Sequence, residues 1–190
     1  MEIIFVRHGQ SEYNKNNVFT GWHDPGITDV GKEQAVNTAK KIENEQIDII
    51  YSSALKRAIQ TSEIMKKMIK TDPKIVIDQN LNERDYGSWS GKNKDQIKNE
   101  IGIEKFTEVR RGWSVGPDNG ESLEDTSKRV NKFIEQIKSI KKRDNLEKIL
   151  VVCHGNTIRA ATVVLGINNK ENIAEYEIKT GNLLRCEIQI

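Results

Sequence analysis

Two short apolar segments, far apart in the chain, end in the same way. Residues 3–6 run into Arg7-His8-Gly9, and residues 149–153 run into His154-Gly155. Apolar runs of this length that stop at a glycine-containing turn are typical of strands buried inside a sheet. In an open α/β sheet, ligands bind in the crevice outside the carboxyl ends of the strands. We therefore expect both histidines to lie at one crevice and to serve chemistry rather than packing.

Composition sets the class of protein. The 190 residues, 36% hydrophobic and 31% charged, predict one globular catalytic domain over residues 1–190. A net charge of +2 is too small to indicate a nucleic-acid partner. No apolar stretch approaches the ~20 residues of a membrane span, and no secretory signal pattern is present. We expect a cytoplasmic protein without a membrane or nucleic-acid partner, whose two cysteines, Cys153 and Cys186, are buried and reduced.

Hydrophobic patterning predicts alternating strands and helices. Strands are expected at 3–6, 47–52, 75–77, 149–153 and about 183–190, and helices at 28–45, 54–69, 122–142 and 156–165, with further helical segments up to about 110. Residues 9–27 and 80–92 are expected to form polar loops. Strands that alternate with crossover helices predict an α/β fold with a mostly parallel central sheet and helices on both faces.

Arginine is scarce in this chain. Only nine of the 30 basic residues are arginines, and arginine is the planar side chain that binds phosphate and carboxylate groups in bidentate fashion. Five arginines fall in motif-like or loop-adjacent segments: Arg7, Arg57, Arg84, Arg110 and Arg111. We expect three others to be scattered without a role: Arg129, Arg143 and Arg185.

The two histidines and two of these arginines suit phosphoryl transfer. A neutral imidazole, here His8, can attack phosphorus and carry the phosphoryl group as a covalent intermediate. Such a nucleophile needs nearby cations, which Arg7 and Arg57 would supply, because this chemistry depends on positioning and charge stabilisation. His154 would complete the cradle, and the helix start at Gly155-Asn156 would add backbone N–H groups.

A general acid and base is the remaining requirement. Glu83, in a polar loop, would exchange a proton with the leaving or attacking hydroxyl group. Nothing in the sequence has the spacing of metal ligands, and the arginine cluster argues against a bound cation, so we expect no metal.

Seven motifs together resemble a known family. They are Arg7-His8-Gly9, Phe19-Thr20-Gly21-Trp22, Leu55-Lys56-Arg57-Ala58, Leu81-Asn82-Glu83-Arg84, Gly91-Lys92-Asn93-Lys94, Arg110-Arg111-Gly112 and His154-Gly155-Asn156-Thr157-Ile158-Arg159-Ala160. In this order they resemble the histidine phosphatase superfamily, and most closely its 2,3-bisphosphoglycerate-dependent phosphoglycerate mutase branch. The resemblance covers nearly the whole chain. Arg-His-Gly alone indicates only the superfamily, whereas Phe-Thr-Gly-Trp, Leu-Asn-Glu-Arg and Arg-Arg-Gly are more specific to the mutases.

The resemblance implies a function and a site. It implies interconversion of 3-phosphoglycerate and 2-phosphoglycerate, in glycolysis and gluconeogenesis, through phospho-His8 primed by 2,3-bisphosphoglycerate. Arg7, Arg57 and His154 would then hold the phosphoryl group, and Glu83 would be the acid and base. The implied contacts to substrate or bisphosphate are Gln10, Ser11, Asn14, Thr20, Gly21, Arg84, Asp85, Tyr86, Lys94, Arg110, Arg111, Gly155 and Asn156. A homodimer or a higher homo-oligomer is also compatible with the resemblance.

The sequence departs from the family pattern in three places. Gln10 replaces the usual glutamate, and the segment 179–184 keeps only the Thr-Gly of a typical Thr-Gly-Val-Pro. The sequence also ends at Ile190 without the mobile tail of typical mutases, and it lacks the bacterial insert before Glu121. A site without a cover admits water more easily. We therefore expect mutase activity with a measurable phosphatase leak.

Three other functions compete with this interpretation. A histidine phosphatase that hydrolyses small phosphate monoesters would use the same residues. Cys153 and Arg159 have the C-x5-R spacing of cysteine-dependent phosphatases, although a thiol inside an apolar strand is usually inert. A catalytically silent binding module on the same scaffold is the third alternative, and the presence of the full set of histidines, Glu83 and arginines argues against it.

Overall fold

The computed structural model describes residues 1–188, which form a five-stranded sheet flanked by helices. The strands are β1 (Glu2–Arg7), β2 (Ile49–Ser52), β3 (Lys74–Ile77), β4 (Lys148–Cys153) and β5 (Leu183–Glu187). They lie in the order β3-β2-β4-β1-β5; the first four are parallel and β5 is antiparallel to β1. The predicted mostly parallel sheet is thereby confirmed. The last strand was predicted to reach residue 190, and residues 189 and 190 lie outside the described residues.

Seven α-helices connect the described strands. They are α1 (Glu12–Lys15), α2 (Asp29–Lys40), α3 (Lys56–Lys66), α4 (Lys94–Ile101), α5 (Ile103–Arg111), α6 (Leu123–Asp144) and α7 (Gly155–Val164). Short 3-10 helices at Gln79–Leu81 and Gly87–Trp89 occupy the region predicted to be a polar loop. The predicted loop over residues 9–27 likewise contains α1, which begins because Ser11 and Asn14 form a capping box.

Three predicted helix boundaries were wrong for local reasons. The helix predicted to reach residue 69 ends at Lys66, because the N–H group of Met68 bonds three residues back, to Met65. The helix predicted to run to residue 45 ends at Lys40, because the N–H groups of Lys41 and Ile42 bond three residues back, to Thr38 and Ala39, which tightens the chain into turns. The helix predicted from residue 54 begins at Lys56, whose N–H group donates to the Asp24 carboxylate at 2.6 Å. The predicted N-caps of α2 and α6, Thr28 and Ser122, are confirmed.

Alternation along β1 builds a core on each face of the sheet. Ile3 and Phe5 pack toward α6 and α7, whereas Ile4 and Val6 pack toward α2 and α3, and all four side chains are fully buried. Side chains of a strand point alternately to opposite faces, so this continuous apolar run is what a strand covered on both sides requires. The predicted helix layers on both faces are therefore present.

A third apolar cluster stands at one end of the sheet. Phe19, Tyr86 and Trp89 pack against Phe106 and Val109 of α5, and the rings of Trp89 and Phe106 are stacked with centroids 5.9 Å apart. This cluster holds the chain before Trp22 against the loop that carries Glu83. It therefore forms an outer wall beyond the carboxyl ends of the strands.

Two expectations about the environment of the chain concern the burial of its cysteines and the character of its helices. Cys153 is buried as expected, whereas Cys186 was expected to be buried and is only partly so, because β5 is an edge strand whose side chains lie partly in solvent. Among residues 1–188, none of the helices combines the length and apolar character needed to cross a membrane.

Candidate active site

His8 and His154 lie side by side at the carboxyl ends of two neighbouring strands. Arg7 is in register with Cys153, so the residues that follow β1 and β4 emerge next to one another. The N–H group of His8 donates to the Cys153 carbonyl at 3.0 Å, and the two imidazole rings meet edge to face with centroids 4.9 Å apart. The parallel register therefore brings the two histidines together.

The His8 ring is held by its own loop. Its Nδ1 lies 2.7 Å from the Gly9 carbonyl oxygen, which can only accept, so Nδ1 carries the hydrogen and Nε2 has a free lone pair. The side chain is buried, and burial together with Arg57 and Arg7 holds the pKa of His8 well below its ordinary value. His8 is therefore a neutral imidazole at neutral pH, the form that can act as a nucleophile.

Gly9 makes this position of the loop possible. A Cβ atom on Gly9 would stand 2.1 Å from the carbonyl oxygen of Gly31 in the first turns of α2. Only glycine allows the two backbones to approach this closely. The loop after β1 is thereby pressed against α2, and the Gly9 carbonyl that orients His8 is fixed.

Two buried guanidinium groups flank His8. Arg57 of α3 donates to the carbonyls of Gly21 and His23, each at 3.0 Å, and burial lowers its pKa to about 10, so it remains charged at neutral pH. Arg7 donates from Nη1 to the Ile178 carbonyl at 2.6 Å. Its buried Nε has no partner within the described residues, which leaves a donor available to an anion.

The His154 ring is hydrogen-bonded through its Nε2 atom. Its Nε2 lies 2.8 Å from the Ser53 hydroxyl oxygen, while its buried Nδ1 has no partner among residues 1–188. Burial, followed by the charge of Arg57, keeps the pKa of His154 well below its ordinary value. His154 is the N-cap residue of α7, so the N-terminal end of that helix starts directly beside it.

The Glu83 carboxylate is fixed on the other side of the crevice. Its Oε1 accepts from the N–H groups of Arg84 at 2.8 Å and Asn156 at 3.3 Å. Its backbone carbonyl accepts from Trp22 Nε1 at 2.7 Å and from Arg129 Nη2 at 2.9 Å. The expectation that Arg129 has no role was wrong, because this buried guanidinium holds the Glu83 loop.

A polar cavity opens in front of these groups. Many of the residues expected to contact substrate line it: Arg7, Asn14, Thr20, Gly21, Glu83, Tyr86, Lys94, Arg110, Arg111, Gly155 and Asn156. His8, Arg57 and His154 are buried and are not lining residues. They adjoin the cavity through residues that line it: Arg7 precedes His8, Gly155 follows His154, and Gly21 accepts a hydrogen bond from Arg57. Five further lining residues were not among the predicted substrate contacts: Val18, Phe19, Arg159, Glu177 and Ile178. No motif or spacing in the sequence marks the last two as lining residues.

Four predicted contact residues do not line this cavity. Gln10 faces an adjoining groove and holds Thr28, and Ser11 caps α1. The Asp85 side chain accepts from the Gly87 N–H group. Arg84 is fully buried and its guanidinium donates to the carbonyls of Glu121, Val109, Val115 and Arg110. These bonds hold Arg84 within the fold, and its side chain does not line the cavity.

A second group of cations stands at the cavity mouth. Lys94 lies over the Phe19 ring, and burial, followed by Arg110 and Arg7, lowers its pKa to about 8. Arg111 donates to the Ala174 carbonyl at 2.7 Å, and its Nη1 lies 4.0 Å from the Glu177 carboxylate. The cavity is therefore lined by several cations, among them Arg7, Lys94, Arg110 and Arg111.

The alternative cysteine chemistry has no support in this geometry. Cys153 is fully buried in β4, and burial raises the pKa of its thiol far above neutrality. Arg159 donates to Asn156 Oδ1 at 2.9 Å and to the Arg111 carbonyl at 2.7 Å instead of facing the thiol. Within residues 1–188, no group of three or more His, Cys, Asp or Glu side chains is arranged to hold a metal ion.

Comparison with known proteins places the chain in a family. The family described as "Histidine phosphatase superfamily (branch 1)" matches residues 3–189, so the chain belongs to branch 1 of the histidine phosphatase superfamily. It is 39% identical over 183 residues to the 2,3-bisphosphoglycerate-dependent phosphoglycerate mutase of Bartonella henselae, covering 94% of this chain and 88% of that protein. Identity to the enzyme of the same name from Azorhizobium caulinodans is 41%, with the same coverage. The expected resemblance to the mutase branch is confirmed.

Solved structures match the fold. Mycobacterial glucosyl-3-phosphoglycerate phosphatase superposes with a TM-score of 0.88 at 23% identity, covering 97% of this chain and 90% of that one. YhfR from Bacillus stearothermophilus gives a TM-score of 0.86 at 24% identity, covering 99% and 91%. At this level of identity the likeness concerns the fold alone.

Proposed function

We propose that this chain is a 2,3-bisphosphoglycerate-dependent phosphoglycerate mutase that interconverts 3-phosphoglycerate and 2-phosphoglycerate. The observation that carries the proposal is the pair of cation groups in one cavity. Arg7 and the buried Arg57 lie close enough to His8 to lower its pKa, and Arg7 lines the same cavity as Lys94, Arg110 and Arg111. A phosphoglycerate has two anionic groups, and this arrangement can bind both at once. The 38–41% identity to mutases adds support.

Each catalytic group has a separate task in this proposal. When bound, 2,3-bisphosphoglycerate supplies the phosphoryl group that primes the enzyme, and the free Arg7 Nε donor fits such an anion. His8 Nε2 carries the phosphoryl group. Arg7, Arg57 and His154 hold its oxygens, and Glu83 takes the proton of the attacking hydroxyl group and returns it to the departing oxygen.

The proposed catalytic domain and location follow from the same residues. The histidines, Glu83 and the arginines come from one sheet and the segments around it, which supports a single catalytic domain over residues 1–190. Free thiols at Cys153 and Cys186 support a cytoplasmic location, where disulfides are rare.

A phosphatase acting on small monoesters is the second candidate. Glu177 places a carboxylate among the cations at the cavity mouth, and a second negative charge on the substrate would be repelled there. A substrate with one phosphate and no further anion would not meet this repulsion. The same His8, Glu83 and arginines would then transfer the phosphoryl group to water.

A turnover assay separates the two candidates. The protein is incubated with 3-phosphoglycerate, with and without 2,3-bisphosphoglycerate, and both 2-phosphoglycerate and free phosphate are measured. The mutase proposal predicts 2-phosphoglycerate formation that depends on the bisphosphate, with free phosphate as a minor product. Release of phosphate without 2-phosphoglycerate would overturn the mutase and support the phosphatase.

A further inference from the structure

The hydrogen bonds behind His154 determine which of its nitrogens carries the hydrogen. The backbone N–H of Ala54 donates to Asn82 Oδ1 at 3.0 Å, which identifies that atom as the amide oxygen. Ser53 Oγ lies 2.9 Å from the same oxygen. Because a carbonyl oxygen can only accept, the single hydroxyl hydrogen of Ser53 is committed to Asn82.

The hydrogen bond from Ser53 to Asn82 also determines the direction of the hydrogen bond between Ser53 and His154. Ser53 Oγ already accepts from the Leu55 N–H at 3.2 Å, and it lies 2.8 Å from His154 Nε2. Since Ser53 has no hydrogen left to give, Nε2 must donate to it. Neutral His154 therefore has its hydrogen on Nε2 and a bare lone pair on the buried Nδ1.

The two histidines thus have opposite tautomers. His8 is protonated on Nδ1 and bare on Nε2, whereas His154 is protonated on Nε2 and bare on Nδ1. A bare nitrogen suits the nucleophile. On His154 it does not suit an anion, because a lone pair facing a phosphoryl oxygen is repulsive until a proton lies between them.

We propose that Ser53 and Asn82 are positioning residues that fix this tautomer, so that His154 Nδ1 takes up a proton when an anion enters the pocket. The proton moves from solvent to Nδ1, and the resulting imidazolium donates from Nδ1 to the anion and from Nε2 to Ser53. The inference rests on the proposed phosphoryl pocket, and it deepens that proposal without depending on which substrate is turned over.

The surrounding charges agree with a proton that arrives together with the anion. The charged or titratable groups around His154 are Arg7 and His8 at the end of β1, Arg57 on α3, Arg129 on α6, and Glu83, which accepts from the N–H of Asn156. Burial and the cations of this set hold the pKa of His154 well below its ordinary value in the free protein. A dianion beside Nδ1 offsets these cations and makes the protonated form favourable.

The first test observes the tautomers in the unmodified chain. The sequence has three histidines, so nitrogen NMR of ¹⁵N-histidine protein is assigned with His23→Gln and His8→Gln, each of which removes one set of signals. We expect two opposite neutral tautomers at neutral pH, and a doubly protonated His154 after sulfate is added. A His154 that carries its hydrogen on Nδ1 in the free protein would overturn the proposal.

The second test counts the proton. Sulfate is a tetrahedral dianion that brings no proton of its own near neutral pH, so any proton taken up must go to the protein. Calorimetric titration with sulfate in buffers of different ionisation enthalpy is expected to show uptake of about one proton, both in the wild type and in His8→Gln, which lacks the other bare imidazole nitrogen. Binding without uptake would contradict the proposal, whereas absence of mutase turnover would leave it intact and remove only the proposed reaction.

A matched pair of serines supplies the control. Ser53→Ala removes the acceptor for Nε2–H, so we expect proton uptake to fall toward zero and sulfate binding to weaken about tenfold. Ser52→Ala deletes a neighbouring buried hydroxyl that donates to the Ser53 carbonyl at 3.0 Å and does not touch the ring. The Ser52→Ala variant should therefore take up as many protons on sulfate binding as the wild type. Equal loss in both variants would mean that Ser53 only supports packing, and would overturn its positioning role.

Discussion

Arg129 of α6 donates a hydrogen bond from Nη2 to the backbone carbonyl of Glu83, at 2.9 Å. The same guanidinium donates to the carbonyls of Asn80 and Asn82, and it pairs with Glu121 at 2.9 Å with only 14% of its side chain exposed. A rigid, planar fork of donors is suited to holding several carbonyls in one place. The position of the candidate acid and base is therefore set from a different helix.

Replacing this arginine should cost both stability and turnover. Arg129→Gln removes the cation that pairs with Glu121 and one donor from each of three carbonyls, so we expect a loss of about 3 kcal/mol in the free energy of unfolding. Turnover should fall because Glu83 is no longer held in place. Denaturant unfolding and steady-state kinetics measure the two effects. Arg143→Gln, an exposed pair with Asp144, is the control and should change stability by less than about 0.5 kcal/mol.

The candidate nucleophile gives a direct chemical prediction. His8→Ala should lower mutase and phosphatase activity together, by on the order of 10⁴-fold or more, since both require the same covalent intermediate. Incubation with 2,3-bisphosphoglycerate should add an acid-labile phosphoryl group to the wild type and none to this variant. Cys153→Ser is the matched comparison, because its thiol is buried with a raised pKa. Loss of labelling in Cys153→Ser with His8 intact would favour the cysteine chemistry.

Substitution of the two arginines at the end of α5 should distinguish a role in substrate binding from a structural role. Arg110→Ala and Arg111→Ala should each weaken 3-phosphoglycerate binding roughly 10- to 100-fold. Binding of a small phosphate monoester whose organic part is uncharged should change little. Arg111→Ala should also lower stability by about 1 kcal/mol, because Arg111 donates to the Ala174 and Tyr176 carbonyls. KM values for both substrates and thermal unfolding test this. Equal losses on both substrates would assign the pair to structure alone.

The lowered pKa of Lys94 predicts a loss of activity on the alkaline side, or limb, of the pH profile. Burial, followed by Arg110 and Arg7, lowers its pKa to about 8, so Lys94 is cationic below that pH and neutral above it. If the cation binds substrate, kcat/KM for 3-phosphoglycerate falls as pH rises through about 8, since this ratio reports groups of the free enzyme. Lys94→Arg should remove that limb. The exposed Lys98→Arg should retain it, and a limb that persists in Lys94→Arg would assign the titration to another group.

The features that the sequence predicted are those set by local patterns. The strand ends at His8 and His154 follow from apolar runs and glycine turns, and parallel pairing alone places them together. The hydrogen bonds of Arg84 and Arg129 were not predicted because a guanidinium donates to whichever carbonyls the fold brings near it, and those of Val109 and Asn80 are distant in sequence. Periodicity and motif spacing carry no information about such long-range partners.

Glu177 was missed for the same reason. Its position depends on three arginines from other elements that hold the chain before β5: Arg159 on the Ile173 carbonyl, Arg111 on that of Ala174 and Arg7 on that of Ile178. The segment is thereby fixed as a wall of the cavity. A glutamate at this point is exposed and would be taken for an ordinary surface residue from the sequence alone.

Neutralising Glu177 should tighten the binding of anionic substrates. Its carboxylate lines the cavity mouth 4.0 Å from Arg111, so it offsets part of the positive charge there. Glu177→Gln keeps the shape and removes the charge, and we expect the Kd of 3-phosphoglycerate to fall by about three- to tenfold at low salt, less at high salt. Binding of inorganic phosphate at the floor should change less.

The neighbouring Glu175 provides the control for that variant. Glu175 is also exposed, and its side chain does not line the cavity, so Glu175→Gln removes the same charge from the same segment without altering the mouth. Calorimetric titration of both variants at two salt concentrations distinguishes a local effect from a change in net charge. Equal tightening in the two variants would mean that net charge alone is responsible. Weaker binding in Glu177→Gln would show that the carboxylate positions Arg111 for the substrate instead of competing with it.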